Sequence, residues 1–185
     1  MTSPNPYAID VDTLSGMKPL SKLVVAIGSN LGDRLAAISG AVNALRDTPD
    51  VIIVDVSPIY ETKAVGGPSD SPDFLNLVVV AETTQDPRTL LERAHAIEDA
   101  FGRTRDLPNG PRTLDLDLIM VGRQTLDDEE LTLPHPRAHE RAFVLAPWND
   151  IDPGAEIEGR GKVADLLEAV GRDGITRRDD LHLED

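Results

Sequence analysis

Cysteine is absent from all 185 residues. Disulfides, thiolate metal sites and cysteine nucleophiles are therefore excluded, and the composition suits a reducing compartment, so a cytoplasmic protein is expected. Aromatic side chains make up only 3% of the chain. The core must be aliphatic, and the six rings (Tyr7, Tyr60, Phe74, Phe101, Phe143 and Trp148) become landmarks. Long apolar runs are also missing. Stretches such as Leu77–Ala81 fall far short of the roughly 20 residues that a membrane helix needs. Residues 1–20 show no basic head followed by an apolar run, so a signal peptide is not expected either. Basic charge is scarce: 18 Lys and Arg stand against 33 Asp and Glu, a net charge of −15. A general nucleic-acid binder needs a basic footprint, so no nucleic-acid partner is expected. A nucleotide ligand is still open, because screening makes only the local potential count at short range. No P-loop pattern of the form G-x-x-x-x-G-K-S/T occurs, so a bound nucleotide would rest on side chains and metal.

What is present suits one globular domain. Apolar residues reach 40%, enough for a buried core at this length. Residues 1–20 read as a weakly structured leader, 21–172 as the folded domain and 173–185 as an acidic tail. Lys22–Ile27 is a β-branched apolar run, hence a buried strand. A helix is expected over Arg34–Arg46, with Leu35, Ile38, Val42 and Leu45 at helical spacing. Val51–Tyr60 reads as a second strand, residues 63–73 as loop and Phe74–Thr84 as a third strand. Asp86-Pro87 supplies an N-cap and a first-turn proline for a helix to Phe101 that Gly102 ends. Thr113–Val121 is a fourth strand. The order βαββαβ predicts a ferredoxin-like α+β sandwich: an antiparallel sheet with two helices on one face. Residues 122–185 add a turn, short pieces around Leu131–Leu145 and a helix near Lys162–Val170.

The fourth strand carries the chemistry. Side chains alternate across a strand, so Leu114, Leu116, Leu118 and Met120 are expected on one face. Asp115 and Asp117 fall on the other, about 6.5–7 Å apart along the backbone, and Ile119 and Val121 continue that face. Alternation of this kind also suits a half-exposed structural strand. Asp is depleted in strands, however, and two carboxylates at this spacing can converge on divalent ions such as Mg²⁺, which bind substrate phosphates. The preceding loop places Arg103, Arg105 and Arg112 within ten residues. Arginines suit bidentate phosphate contact and charge neutralisation during phosphoryl transfer, though a solvated loop would look alike.

Four blocks then carry a resemblance: Ala26-Ile27-Gly28-Ser29-Asn30-Leu31-Gly32, Pro72-Asp73-Phe74-Leu75-Asn76, Gly110-Pro111-Arg112-Thr113-Leu114-Asp115-Leu116-Asp117, and Leu133-Pro134-His135-Pro136-Arg137 with Glu140-Arg141-Ala142-Phe143-Val144-Leu145 after it. In this order, across about residues 22–150, the chain resembles the 6-hydroxymethyl-7,8-dihydropterin pyrophosphokinases. The resemblance implies diphosphoryl transfer from ATP to 6-hydroxymethyl-7,8-dihydropterin in tetrahydrofolate biosynthesis, with AMP released. It implies two Mg²⁺ ions held by Asp115 and Asp117, and Arg103 and Arg112 acting on the phosphates with Arg105 nearby. Nucleotide contacts are implied for His95, Glu98, Leu118, Thr132, His135 and Arg141. Phe74 and Phe143 match ring-stacking positions for the pterin, Asn76 an amide reader, and Thr62 and Val65 loop contacts. A monomer is expected.

Three departures from the family pattern are expected to alter affinity rather than abolish activity. Asn109 stands where a tryptophan is often found over the pterin, Glu130 where a basic residue often meets the phosphates, and Lys63-Ala64 where a proline pair is usual. Two alternatives share the topology. Nucleotide cyclases and polymerase-like palms would need a further carboxylate on the first strand, which Lys22–Ser29 lacks. A regulatory small-molecule-binding domain would leave the aspartates and arginines unexplained.

Overall fold

In the computed structural model the described residues are 19–63, 72–101 and 114–184. The sequence expectations for Val65, Arg103, Arg105, Asn109 and Arg112 lie outside them. The chain opens with β1 (Ser21–Ser29), α1 (Arg34–Arg46), β2 (Val51–Val56), β3 (Tyr60–Thr62), β4 (Phe74–Thr83), α2 (Pro87–Ala100) and β5 (Asp115–Val121). It continues with the short pair β6 (Leu126–Asp127) and β7 (Thr132–Leu133), a 3₁₀ turn at Ala138–Glu140 and α3 (Ala142–Ile151). A second short pair, β8 (Glu156–Ile157) and β9 (Gly161–Lys162), precedes α4 (Val163–Val170) and β10 (Ile175–Arg177).

Both early helices start on the side chains that composition marks. Asp33 accepts from the Ala36 N–H at 3.0 Å and Asp86 from the Thr89 N–H at 2.9 Å, each satisfying a donor left orphaned in the first turn. Among the described residues the main sheet is antiparallel, in the order β10-β3-β4-β1-β5, with β2 also on β4. The central strands β1 and β4 are buried on both faces, and their alternation sorts two cores. Leu23, Val25, Ile27, Leu77 and Val79 pack under α1 and α2. Val24, Val78, Val80 and Ile119 pack under α3 and α4, around the fully buried Trp148. Helices α1 and α2 cover one face, and α3 and α4, supplied by residues 122–172, cover the other.

The structure differs from the sequence reading at four places, two of them with a local physical cause. The expected strand Val51–Tyr60 is broken at Ser57-Pro58-Ile59, because Pro58 has no N–H to offer the ladder. Ser57 spans the gap: its N–H donates to Val78 O at 2.9 Å and its hydroxyl accepts from the Val78 N–H at 2.8 Å. On β5 the register skips, Val25 facing Leu118 and Val24 facing Met120. The extra residue reverses the alternation beyond Leu118, so Met120 packs with the α3/α4 core and Val121 with the α1/α2 core. Finally, the stretch read as short pieces up to Leu145 holds α3, with Pro147 in its interior. The segment set aside as an acidic tail contains β10, which pairs with β3.

Candidate active site

Cross-strand register assembles the site. Tyr60 on β3, Asn76 on β4, Gly28 on β1 and Asp115 on β5 are successive partners, and Val78, Ala26 and Asp117 form the next row. Antiparallel partners share a face, so the aspartate pair and the amide of Asn76 face the same side. A cavity of about 420 Å³ opens there. Its floor is low because the β1 residues whose side chains fall on that face are Gly28 and Ala26, Ile27 pointing into the opposite core. A Cβ at Gly28 would stand 2.6 Å from Asn76 Oδ1 and 3.5 Å from the Phe74 ring. Glycine is needed here for space.

On the β3/β4 side, buried Asn76 donates from Nδ2 to Thr62 Oγ1 at 2.8 Å. That bond fixes which way the amide faces, leaving its oxygen toward the floor. Phe74 and Phe143 add ring surface to the same cavity. On the β5 side, Arg141 Nη1 lies 3.9 Å from Asp117 Oδ2, and its guanidinium sits 5.5 Å from the Phe143 centroid, within cation–π range. One arginine thus joins the carboxylate half of the cavity to its aromatic half.

Among the described residues no group of three or more His, Asp or Glu side chains gathers as a ready-made cation cage. Two half-buried carboxylates on one strand face are nevertheless the donor set that suits Mg²⁺, which takes one or two carboxylates and completes its shell with waters and substrate phosphates. Asp115 and Asp117 fit that requirement.

Of the sequence-derived site residues, Thr62, Phe74, Asn76, Asp115, Asp117, Arg141 and Phe143 line the cavity together. The remaining described ones do not. Glu98 is 1% exposed, and its Oε2 accepts from the Leu116 N–H at 3.0 Å, between the two aspartates in sequence. It pins β5 from behind. His95, one turn earlier on α2, is half-buried. The side chain of Leu118 is buried in the α1/α2 core, on the face away from the aspartates. Thr132 pairs with Asp127 in the β6–β7 ribbon. His135 follows that ribbon and is tied to β5 through its N–H to Ile119 O at 2.8 Å. Its Nδ1 accepts from the Arg137 N–H at 3.2 Å, which leaves the ring proton on Nε2. Burial, with Arg141 nearby, pushes its pKa down to about 4 against the opposing pull of Asp115, so the ring is neutral at pH 7. Glu130 is ion-paired with Arg88 at 3.5 Å.

The cavity also takes in residues to which the sequence assigned no role: Lys63, Arg137 and Glu140, and Val170, Asp173 and Ile175 from the C-terminal segment. Arg137 and Glu140 stand inside a quoted motif and could have been found there. Val170 stands at the end of α4, whereas Asp173 and Ile175 reach the site through the pairing of β10 with β3, for which the local sequence carries no signal.

A family model described as 7,8-dihydro-6-hydroxymethylpterin-pyrophosphokinase (HPPK) matches residues 24–153. A Pseudomonas aeruginosa protein named 2-amino-4-hydroxy-6-hydroxymethyldihydropteridine pyrophosphokinase is 40% identical over 158 residues, covering 85% of this chain and 97% of that protein. A Bacillus subtilis protein of the same name is 43% identical over 141 residues, covering 76% of this chain and 84% of that one. Among solved structures, the wild-type Plasmodium falciparum HPPK-DHPS with pterin and p-hydroxybenzoate aligns with a TM-score of 0.66 at 16% identity. The alignment covers 89% of this chain, which spans about half (47%) of the Plasmodium chain. At that identity the likeness is one of fold.

Proposed function

Since the chain belongs to the 7,8-dihydro-6-hydroxymethylpterin-pyrophosphokinase family, we propose that it transfers the diphosphoryl group of ATP to 6-hydroxymethyl-7,8-dihydropterin in folate biosynthesis. The observation that carries this reading is the single cavity floored by Gly28 and Ala26, with Asp115 and Asp117 at one side and Thr62, Asn76 and Phe74 at the other. One half suits a metal-bound polyphosphate, the other a flat ring with hydrogen-bonding edges.

In this reaction the pterin hydroxymethyl oxygen attacks the β-phosphorus of ATP. The bond from that phosphorus to the oxygen bridging the α-phosphate breaks, AMP leaves, and the hydroxyl proton is lost. Asp115 and Asp117 would hold two Mg²⁺ ions, which when bound offset charge on the polyphosphate. Phe74 and Phe143 stack on the pterin, Asn76, oriented by Thr62, reads its edge, and Val65 is a further pterin contact in this reading. Arg103, Arg105 and Arg112 neutralise the transferring group. Arg141 and the neutral Nε2–H of His135 serve the nucleotide, with His95 and Thr132 further out. Glu98 and Leu118 act from behind β5, keeping the aspartate strand in place. Holding both reactants in line is the main catalytic contribution.

The ferredoxin-like arrangement belongs to this proposal. Taking β2 and β3 as one interrupted strand, the strand order with α1 and α2 on one face supports it. A monomer of the cytoplasm completes the reading, in keeping with the cysteine-free composition. The test is chromatography of the nucleotide products after incubation with ATP and Mg²⁺, with and without the pterin. AMP formed only when the pterin is present is expected; ADP, or AMP formed without pterin, would refute the assignment.

A further inference from the structure

The pterin side of the cavity rests on a very short strand. β3 has three residues, yet it carries Thr62, the acceptor that orients Asn76. Few ladder bonds hold a strand of that length, and β4 borders it on one side only. The other edge is closed from the far end of the chain. Ile175, Thr176 and Arg177 of β10 pair with Thr62, Glu61 and Tyr60. The ladder is extended at both ends, by the Lys63 N–H to Gly174 O at 3.1 Å and by the Arg178 N–H to Ile59 O at 2.8 Å.

A side-chain latch reinforces it on the face away from the cavity. One oxygen of Glu61 accepts from Arg178 Nη1 at 3.0 Å and the other from Arg34 Nη1 at 2.7 Å. Arg34 also donates to Asp73 O at 2.8 Å, one residue before Phe74. Arg178 is itself aligned by both oxygens of Asp180, at 3.0 and 2.9 Å. The side chains of Arg178 and Glu61 are 29% and 26% exposed, so the pair is better shielded than a surface ion pair, and charge-assisted bonds of this kind are the stronger ones. Arg178 and Asp180 lie outside the 24–153 span of the family match, while Arg34, Glu61 and Asp73 lie within it.

We propose that Arg178 is a positioning residue for the pterin: through Glu61 and β10 it fixes β3, and with it the Thr62–Asn76 pair and the Phe74 end of β4. The inference rests on the function proposed above. It also predicts selectivity. In the order β10-β3-β4-β1-β5 the aspartate strand lies at the opposite edge of the sheet, so loosening β10 should reach the pterin contacts and leave the metal and phosphate end in place.

The experiment is steady-state AMP release by Arg178→Ala and Arg178→Lys, with pterin and ATP varied separately. Arg178→Ala is expected to raise the KM for pterin about tenfold, the scale of one charge-assisted hydrogen bond, with the KM for ATP and kcat each within about twofold. Lysine should recover part of the loss, since it supplies the charge but not the fork that engages Asp180 and Glu61 together. Faster amide exchange at Lys63, whose partner is Gly174 O, should accompany the change and is read without turnover. Glu61→Gln, near-isosteric, is the second variant should Arg178→Ala fail to fold, and the same pterin-selective rise is expected. An unchanged pterin KM, or equal rises for pterin and ATP, would overturn the proposal. A wild-type protein that makes no AMP with the pterin would overturn the function itself, whereas selective loss in an active enzyme is the test of Arg178.

Discussion

Gly28→Ala isolates the geometry of the pterin floor. The added methyl would stand 2.6 Å from Asn76 Oδ1, well inside van der Waals contact. Asn76 is 6% exposed and tied to Thr62 at 2.8 Å, so it cannot swing aside without giving up that bond. Overpacking of this kind costs about 1–3 kcal/mol, and breaking a buried hydrogen bond about 1–2 kcal/mol more if the amide is left unpaired. Against this, replacing glycine with alanine restricts the unfolded chain and returns about 0.4–1 kcal/mol. Stability should therefore fall by a few kcal/mol at most, leaving a folded protein. Pterin recognition depends directly on the displaced amide. At about 1.4 kcal/mol per decade, affinity should drop about 10- to 100-fold. Titration calorimetry with the pterin, alongside thermal unfolding, separates the two effects. A folded Gly28→Ala protein that binds pterin within twofold of wild type would refute the claim that the floor must be empty here.

Other expectations can be measured alongside. Glu98→Ala leaves the Leu116 N–H, now bonded at 3.0 Å to a carboxylate with 1% exposure, without that acceptor; urea unfolding should show a loss of about 1–3 kcal/mol, and kcat should fall because β5 is no longer pinned. Asp117→Ala should nearly abolish AMP formation while circular dichroism stays native; normal turnover would refute its assigned metal role. For His135 the folded pKa of about 4 lies below the ordinary 6.5 of an unfolded chain. As pH falls, the unfolded state takes up the proton first, so stability from this group is full above 6.5, is lost between 6.5 and about 4, and changes no further below that. His135→Gln, compared with wild type by urea unfolding without ligands, should flatten the slope in that window; identical slopes would contradict the burial of a neutral ring.

The sequence was legible where a local rule acts alone. The cap Asp86, the stripe Ile38, Val42 and Leu45 on α1, and the buried apolar run of β1 stand as the sequence reads. It misled where tertiary context overrides a local pattern. The skip opposite Val24 and Val25 turned Met120 and Val121 to the other faces. Pro58 split one strand into two, while Pro147, an equally strong breaker, was carried inside α3 by burial of its neighbours Ala146 and Trp148. The same division holds for the site. The aspartate pair follows from strand alternation, and Phe74, Asn76, Arg141 and Phe143 from the family motifs. The bond between Asn76 and Thr62 depends on the register of β3 against β4, and the wall contributed by Asp173 and Ile175 depends on a strand that returns from the end of the chain. Neither is encoded in any short window.

The most direct measurement follows the phosphorus itself. ATP labelled separately at the β and γ positions is incubated with the protein, Mg²⁺ and 6-hydroxymethyl-7,8-dihydropterin, and the pterin product is isolated. Both labels should arrive on the pterin in equal amounts, one AMP appearing for each pterin converted. Transfer of the γ label alone, with ADP as the second product, would contradict the account.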